Sequence, residues 1–160
     1  MSNIDILIKV RSVKDTFRKR LRPGIGDIDS RQRKPSKHEM GMAEVVVKEF
    51  GGKIKFLKVD VQSGIKMPDA LWSGIKLEIK TAKGKSSIDS QTRKGLQQIK
   101  GEGVILLDVS GSKKSIREIK KEAIHRTRRY LLNNQRGNVN IIIVRNKKII
   151  DVLEIKKVEA

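Results

Sequence analysis

Met67-Pro68-Asp69-Ala70-Leu71-Trp72-Ser73-Gly74-Ile75-Lys76-Leu77-Glu78-Ile79-Lys80 is the stretch on which the reading of this chain turns. It holds a Pro-Asp pair, a short polar turn, and Glu-Ile-Lys inside an apolar alternation. On a strand, Glu78 and Lys80 share one face while Leu77 and Ile79 share the other. Such a strand can contribute to a core and line a polar cleft at once. The turn at Trp72-Ser73-Gly74 would fold the Asp69 segment back alongside it. Asp69 is then expected near Glu78, so that two carboxylates and an ammonium meet in one place.

The elements on either side follow from period and punctuation. Before the stretch, Ser36 and Glu39 have capping-box spacing, and Ala43, Val46, Val47 and Phe50 give a helix its apolar stripe up to Gly51-Gly52. Glu39 shares the buried-side face of that helix, where it either caps the helix or feeds a site. Lys53–Val61 alternates as a strand, and residues 66–72 and 75–81 are expected as the two strands of the central hairpin. After a loop at 83–87, a helix is expected over 88–99 and a nearly all-apolar strand over 104–109, covered on both faces. A second capping box, Ser115 with Glu118, opens a long basic helix to about residue 133. Two last strands, 138–145 and 148–155, meet at Asn146-Lys147. The order α-β-β-β-α-β-α-β-β predicts an α/β protein, a sheet with helices on both faces.

Ahead of Pro35 the pattern changes. Ile6, Val10, Val13, Phe17 and Leu21 fall at helical spacing and predict a basic helix to about Arg20. Residues 22–35 are rich in Gly, Pro, Asp, Ser and Arg and read as a linker. The expected organisation is therefore a basic N-terminal helix and linker, 1–35, ahead of one domain, 36–160. At 160 residues the chain is long enough for a single sizeable core.

Charge narrows the function. Lys and Arg number 37 against 18 Asp and Glu, a formal net charge of +19, which makes a polyanion the leading partner. No apolar run approaches a membrane span, and no signal-peptide pattern opens the chain. The lone Trp72 sits outside any basic amphipathic helix, which argues against a membrane-surface role. Trp72 is read as a packing residue, with stacking on a base as the alternative. Cysteine is absent, which removes disulfides, thiolate sites and thiol catalysis. With only His38 and His125 for imidazole, a metal here must be held mainly by oxygen, which suits Mg²⁺ or Mn²⁺. Aromatic residues make up 3% of the chain, so recognition through backbone charge is expected rather than a stacking platform.

Phosphodiester hydrolysis needs a cation against the non-bridging oxygens, a deprotonated water and a stabilised leaving oxygen. Asp69 and Glu78 can hold a hard cation, with the Ile79 backbone carbonyl between them as a further ligand. Lys80 can orient water and meet the charge that develops. Glu39 could reach the metal or its water from its helix. The candidate phosphate contacts are Lys83, Lys85, Arg93, Lys94, Lys113, Lys114, Arg117, Lys120, Lys121, Arg128 and Arg129. For any one of these a solvated surface is the simpler reading, and Glu78 with Lys80 could equally be an exposed edge-strand pair.

Pro68-Asp69, eight intervening residues and Glu78-Ile79-Lys80 resemble the motif of the PD-(D/E)xK nuclease superfamily. That resemblance implies a restriction-endonuclease-like mixed sheet with an αβββαβ core over roughly 36–110. With His38-Glu39, Phe50-Gly51-Gly52 and a helix carrying Gln97, the pattern is more narrowly similar to toxin nuclease domains of contact-dependent growth inhibition and other polymorphic toxin systems. The resemblance implies a divalent metal (Mg²⁺ first, Mn²⁺ or Zn²⁺ next), Asp69 and Glu78 as ligands, Lys80 catalytic, and Glu39 completing the acid set. It also implies a helix glutamine at the site: Gln97, with Gln91 and Gln98 as alternatives. The implied substrate is tRNA or DNA in the cytoplasm of a target cell, and the implied partner an acidic immunity protein. A non-catalytic nucleic-acid-binding protein and a junction-resolving or repair nuclease of a mobile element are the rival readings.

Overall fold

A computed structural model describes residues 6–20, 26–58, 67–84, 87–134 and 137–159. They build a mixed α/β architecture: one eight-stranded mixed sheet with helices on both faces. In chain order the elements are β1 (Ile6–Ser12), α1 (Lys14–Arg20), β2 (Gly26–Asp29), α2 (Lys37–Phe50), β3 (Gly52–Phe56), β4 (Ala70–Trp72), β5 (Ile75–Lys83), α3 (Ile88–Ile99), β6 (Glu102–Gly111), α4 (Ile116–Leu132), β7 (Asn138–Arg145) and β8 (Lys148–Glu159). Across the sheet they run β1-β8-β7-β6-β5-β4-β3-β2. β3, β4 and β5 form an antiparallel meander, and β5, β6 and β7 are parallel, joined through α3 and α4. No helix among the described residues is long and apolar enough to cross a membrane.

Side-chain alternation divides the core into two layers. Leu77, Val104, Leu106, Ile142 and Val152 point to one face and meet Met42, Ala43, Val46 and Phe50 of α2 and Val13 and Phe17 around α1. Ile105, Leu107, Ile141, Ile143 and Leu153 point to the other and meet Ile88, Leu96 and Ile99 of α3 and Ile119, Ala123 and Leu131 of α4. Trp72 is buried among the aromatic rings of the first layer, 5.4 Å from Phe17 and 5.9 Å from Phe50 between centroids. Its indole N–H donates to the Gly51 carbonyl at 3.0 Å, so it is a packing residue with its polar end satisfied. Gly52 has φ +82°, and a Cβ there would stand 2.6 Å from that indole nitrogen.

The segment ahead of residue 36 departs from expectation. Residues 6–12 are a strand and not the start of a helix; the helix is confined to 14–20. Their apolar spacing fits both periods, and the antiparallel ladder with β8, from Ile6↔Glu159 to Ser12↔Leu153, decides between them. The expected linker contains β2, which pairs parallel with β3. An edge strand needs only backbone pairing, so its sequence carries little apolar pattern. Both outer strands of the sheet thus come from the first 35 residues. The strand expected over 53–61 ends at Phe56, and the hairpin's first strand is only 70–72; positions 59–66, with Leu21, lie outside the described residues.

Candidate active site

A two-residue turn sets the site. Ser73 and Gly74 have φ of 47° and 83°, the left-handed pair that matches the twist of a tight hairpin. The turn fixes the register Trp72↔Ile75, Leu71↔Lys76 and Ala70↔Leu77. One step further along, Asp69 comes opposite Glu78. Asp69 Oδ2 accepts the Ile79 N–H at 2.8 Å. In an extended strand the N–H and C=O of one residue point to the same side, so the Ile79 carbonyl also faces the Asp69 edge. That is where it was expected as a ligand.

Glu78 is the unusual residue. It is 2% exposed, and its Oε2 has no hydrogen-bond partner. Burial, a hydrogen bond with the Asp69 carboxyl and the negative charge of Asp69 push its pKa up to about 9; the Lys80 ammonium pulls the other way. Glu78 therefore holds a proton at neutral pH. Lys80, on the same face of β5, is half-buried. Asp69, Glu78 and Lys80 do come together, as their spacing predicts.

The donor chemistry at this point fits a divalent cation. A buried carboxylate oxygen without a partner, beside a second carboxylate, is what a hard ion would satisfy in place of the shared proton. The available donors are all oxygen, Asp69, Glu78 and the Ile79 carbonyl, which suits Mg²⁺ or Mn²⁺ better than Zn²⁺. Among the described residues no group of three or more His, Cys, Asp and Glu is placed to hold a metal.

Glu39 caps its helix, and its carboxylate is paired within the fold. Its backbone N–H donates to Ser36 Oγ and its carboxylate accepts the Ser36 N–H, the reciprocal capping box. The same carboxylate is gripped by Arg33 at 2.8 and 3.1 Å. Arg33 and the capping bonds hold Glu39 below the usual carboxylate range despite its partial burial. Arg33 also donates to the Leu57 carbonyl at 2.9 Å and the Asp69 carbonyl at 3.2 Å, and lies 5.1 Å from the centre of the Phe56 ring. One guanidinium thus ties the head of α2 to the ends of β3 and β4. Nothing in the polar stretch around Arg33 marks it from sequence.

A second polar cluster was also missed. His38 Nε2 lies 2.9 Å from Asp108 Oδ2, while Asp108 Oδ1 accepts the N–H and O–H of Ser110. These bonds and His38 hold the Asp108 carboxyl below its ordinary range against the effect of burial. The pair sits on the α2 face of the sheet, opposite Glu78 and Lys80.

The helix glutamine moves. Gly95 lies over Ile105, its added Cβ meeting that side chain at 3.0 Å, and Ile105 is the ladder neighbour of Glu78. At 3.6 residues per turn Gln97 projects about 200° from Gly95, away from the sheet. Gln91 and Gln98 lie about 40° and 60° from Gly95. They occupy the flank of α3 away from Asp89, whose carboxylate binds Arg126 of α4. That flank is the one away from α4, and α3 also packs on β5, the strand that carries Glu78.

The basic residues divide. Lys114 pairs with Glu122 at 2.8 Å and Lys120 with Asp151 at 2.7 Å, so two expected phosphate contacts already have an acidic partner. Arg93, Lys94, Lys113, Arg117, Lys121, Arg128 and Arg129 are exposed, as is Lys83 at the end of β5. Lys85 lies outside the described residues. No protein-family model, curated protein or solved structure matches the chain.

Proposed function

We propose that this protein is a metal-dependent nuclease that hydrolyses phosphodiester bonds of tRNA or DNA, built on the restriction-endonuclease-like plan of the PD-(D/E)xK superfamily. The observation that carries the reading is Glu78: a buried, proton-holding carboxyl with an orphan oxygen, set against Asp69 and beside Lys80. The succession α2-β3-β4-β5-α3-β6 supports it, with an antiparallel meander followed by a helical crossover to a parallel strand. So does the +19 charge, which draws a polyanion to the site. A bound divalent cation supplies charge neutralisation at the phosphate and a more acidic water. The chain's own residues do the rest. Asp69 and Glu78 would hold the cation, with the Ile79 carbonyl as a further donor. Lys80 offers its ammonium to the non-bridging oxygens and the attacking water. Delivery as a toxin, and an acidic immunity protein fitted to the basic surface, belong to the same proposal.

Purified protein is expected to cut total tRNA or plasmid DNA with Mg²⁺ or Mn²⁺ and to stop in EDTA. Asp69→Ala should lower the rate at least a hundredfold with the circular-dichroism spectrum retained; full activity in that variant would remove the site assignment. The non-catalytic reading has one observation in its favour: the Asp69–Ile79 bond serves equally as a staple of the hairpin. Salt-sensitive binding with no cleavage of either substrate under any of these metals would favour it.

A further inference from the structure

The helices of the two layers differ in charge. α2 carries two lysines against three glutamates, whereas α4 carries six Lys and Arg against two glutamates. Within α4 the internal pairs leave a pattern. Arg126 binds Asp89 on α3, and Lys120 binds Asp151 on β8. Arg117, Lys121 and Arg128 are exposed and make no ion pair with a described residue. At 100° per residue these three fall within about 40° of one another and extend about 16 Å along the helix. Arg126 lies about 180° from Arg117, so the row faces away from α3. It lines a groove beside α4 that also takes in Val10 of β1 and, of α4 itself, Ile116 and Ile124. Three acids border the groove as well: Glu118, Glu122, which Lys114 holds, and Asp89 of α3, which Arg126 holds.

We infer that this row is a phosphate-binding exosite that grips nucleic acid remote from the point of cleavage. The inference rests on the nuclease reading and adds to it a second contact region and a length requirement. β5, which carries Glu78 and Lys80, is four strands from β1. At about 4.8 Å per strand, β1 and β5 are some 19 Å apart in the sheet, and the row stands in the helix layer over the face that bears Glu78. Exposed Arg93 and Lys94 on α3 and Arg129 on α4 continue the positive surface between them. A linear run of cations on the face that bears the site matches a chain of regularly spaced phosphates. A short oligonucleotide held at Glu78 does not reach the row; a long one does.

Binding is measured in EDTA, so that it is read whether or not the protein cuts. Fluorescently labelled 4-nucleotide and 30-nucleotide single strands are titrated against the wild type and the triple variant Arg117→Gln/Lys121→Gln/Arg128→Gln. Lys37→Gln/Lys48→Gln, on the opposite layer, is the control. For the 30-mer the triple variant should bind at least tenfold more weakly, with the slope of log K against log salt shallower by about 2. With no metal to hold it at Glu78, the 4-mer settles on the row, so it too should weaken in the triple variant, and the control should change the slope by less than 1. An unchanged 30-mer slope, or a 4-mer held as tightly by the triple variant as by the wild type, overturns the exosite. Polyglutamate of matching charge that binds as tightly as the 30-mer, and loses as much in the triple variant, overturns it in favour of an acidic protein partner. If the triple variant behaves as expected while no cleavage occurs with any metal, the grip stands and the nuclease reading falls.

Discussion

Glu78→Gln is expected to abolish metal-dependent cleavage and at the same time to make the metal-free protein more stable at neutral pH. The folded protein holds a proton on Glu78 up to about pH 9, whereas the unfolded chain releases it near the ordinary value of 4.5. Between those values the folded state binds more protons than the unfolded state, so stability falls as pH rises through that window. Below about pH 4.5 the penalty vanishes, and above about pH 9 it reaches its full size and stays there. At pH 7 it amounts to roughly 3 kcal/mol. Gln keeps the shape and a donor toward Asp69 but has no proton to lose. Its melting temperature should exceed that of the wild type by on the order of 5–10 °C at pH 7, with the gap closing toward pH 4.5. Thermal unfolding from pH 4.5 to 9, wild type beside variant and without metal, reads this directly. A variant less stable than the wild type at pH 7 and above would show that Glu78 is ionised in the folded protein. A site kept at such expense to the fold is the pattern of a functional group.

Arg33→Met should act in the opposite direction. Arg33 and Glu39 side chains are 20% and 21% exposed, which removes most of the screening that makes surface pairs weak. Met keeps the apolar stem over Phe56 and leaves Glu39 without its partner and the Leu57 and Asp69 carbonyls without a donor. A loss of about 3 kcal/mol is expected, seen as a lower midpoint in urea with an unchanged slope. Glu39→Gln in the same background should recover part of it, giving a coupling of about 1 kcal/mol or more in a double-mutant cycle. A loss under 0.5 kcal/mol would place the latch among ordinary surface pairs. Because Arg33 joins α2 to the ends of β3 and β4, cleavage should weaken as well, through misplacement of Asp69.

What could be read from sequence was what is encoded locally. Ser73-Gly74 dictates its turn, the turn dictates the register, and the register places Asp69 against Glu78, all within a dozen residues. The capping box at Ser36 and Glu39 is likewise complete in four. The parts that escaped are those whose partners lie far along the chain. Ile6 and Val10 suit a helix until β8, more than 140 residues away, supplies a ladder. Arg33 and Asp108 have no local signature, and each acquires a role only when α2 is laid on the sheet. Glu39 was legible as a cap; that its carboxylate would also be occupied by Arg33 was not. For Gln97 the helix was legible and its rotation was not, because rotation is set by what Gly95 touches across the layer.

The pairing of β1 with β8 bears on how the molecule is made. Arg11 meets Glu154 across 143 positions of sequence. During synthesis the first strand must therefore wait, without its ladder partner, until β8 has emerged. Closing so long a loop costs only a few kcal/mol in entropy, but no early contact between those strands can offset it. The meander and its helices have their partners closer in sequence and can assemble without it, and the N-terminal strand closes the sheet beside β8. Until it does, β8 presents an open edge, and a nascent protein of this plan is most exposed to pairing with the wrong strand in that interval.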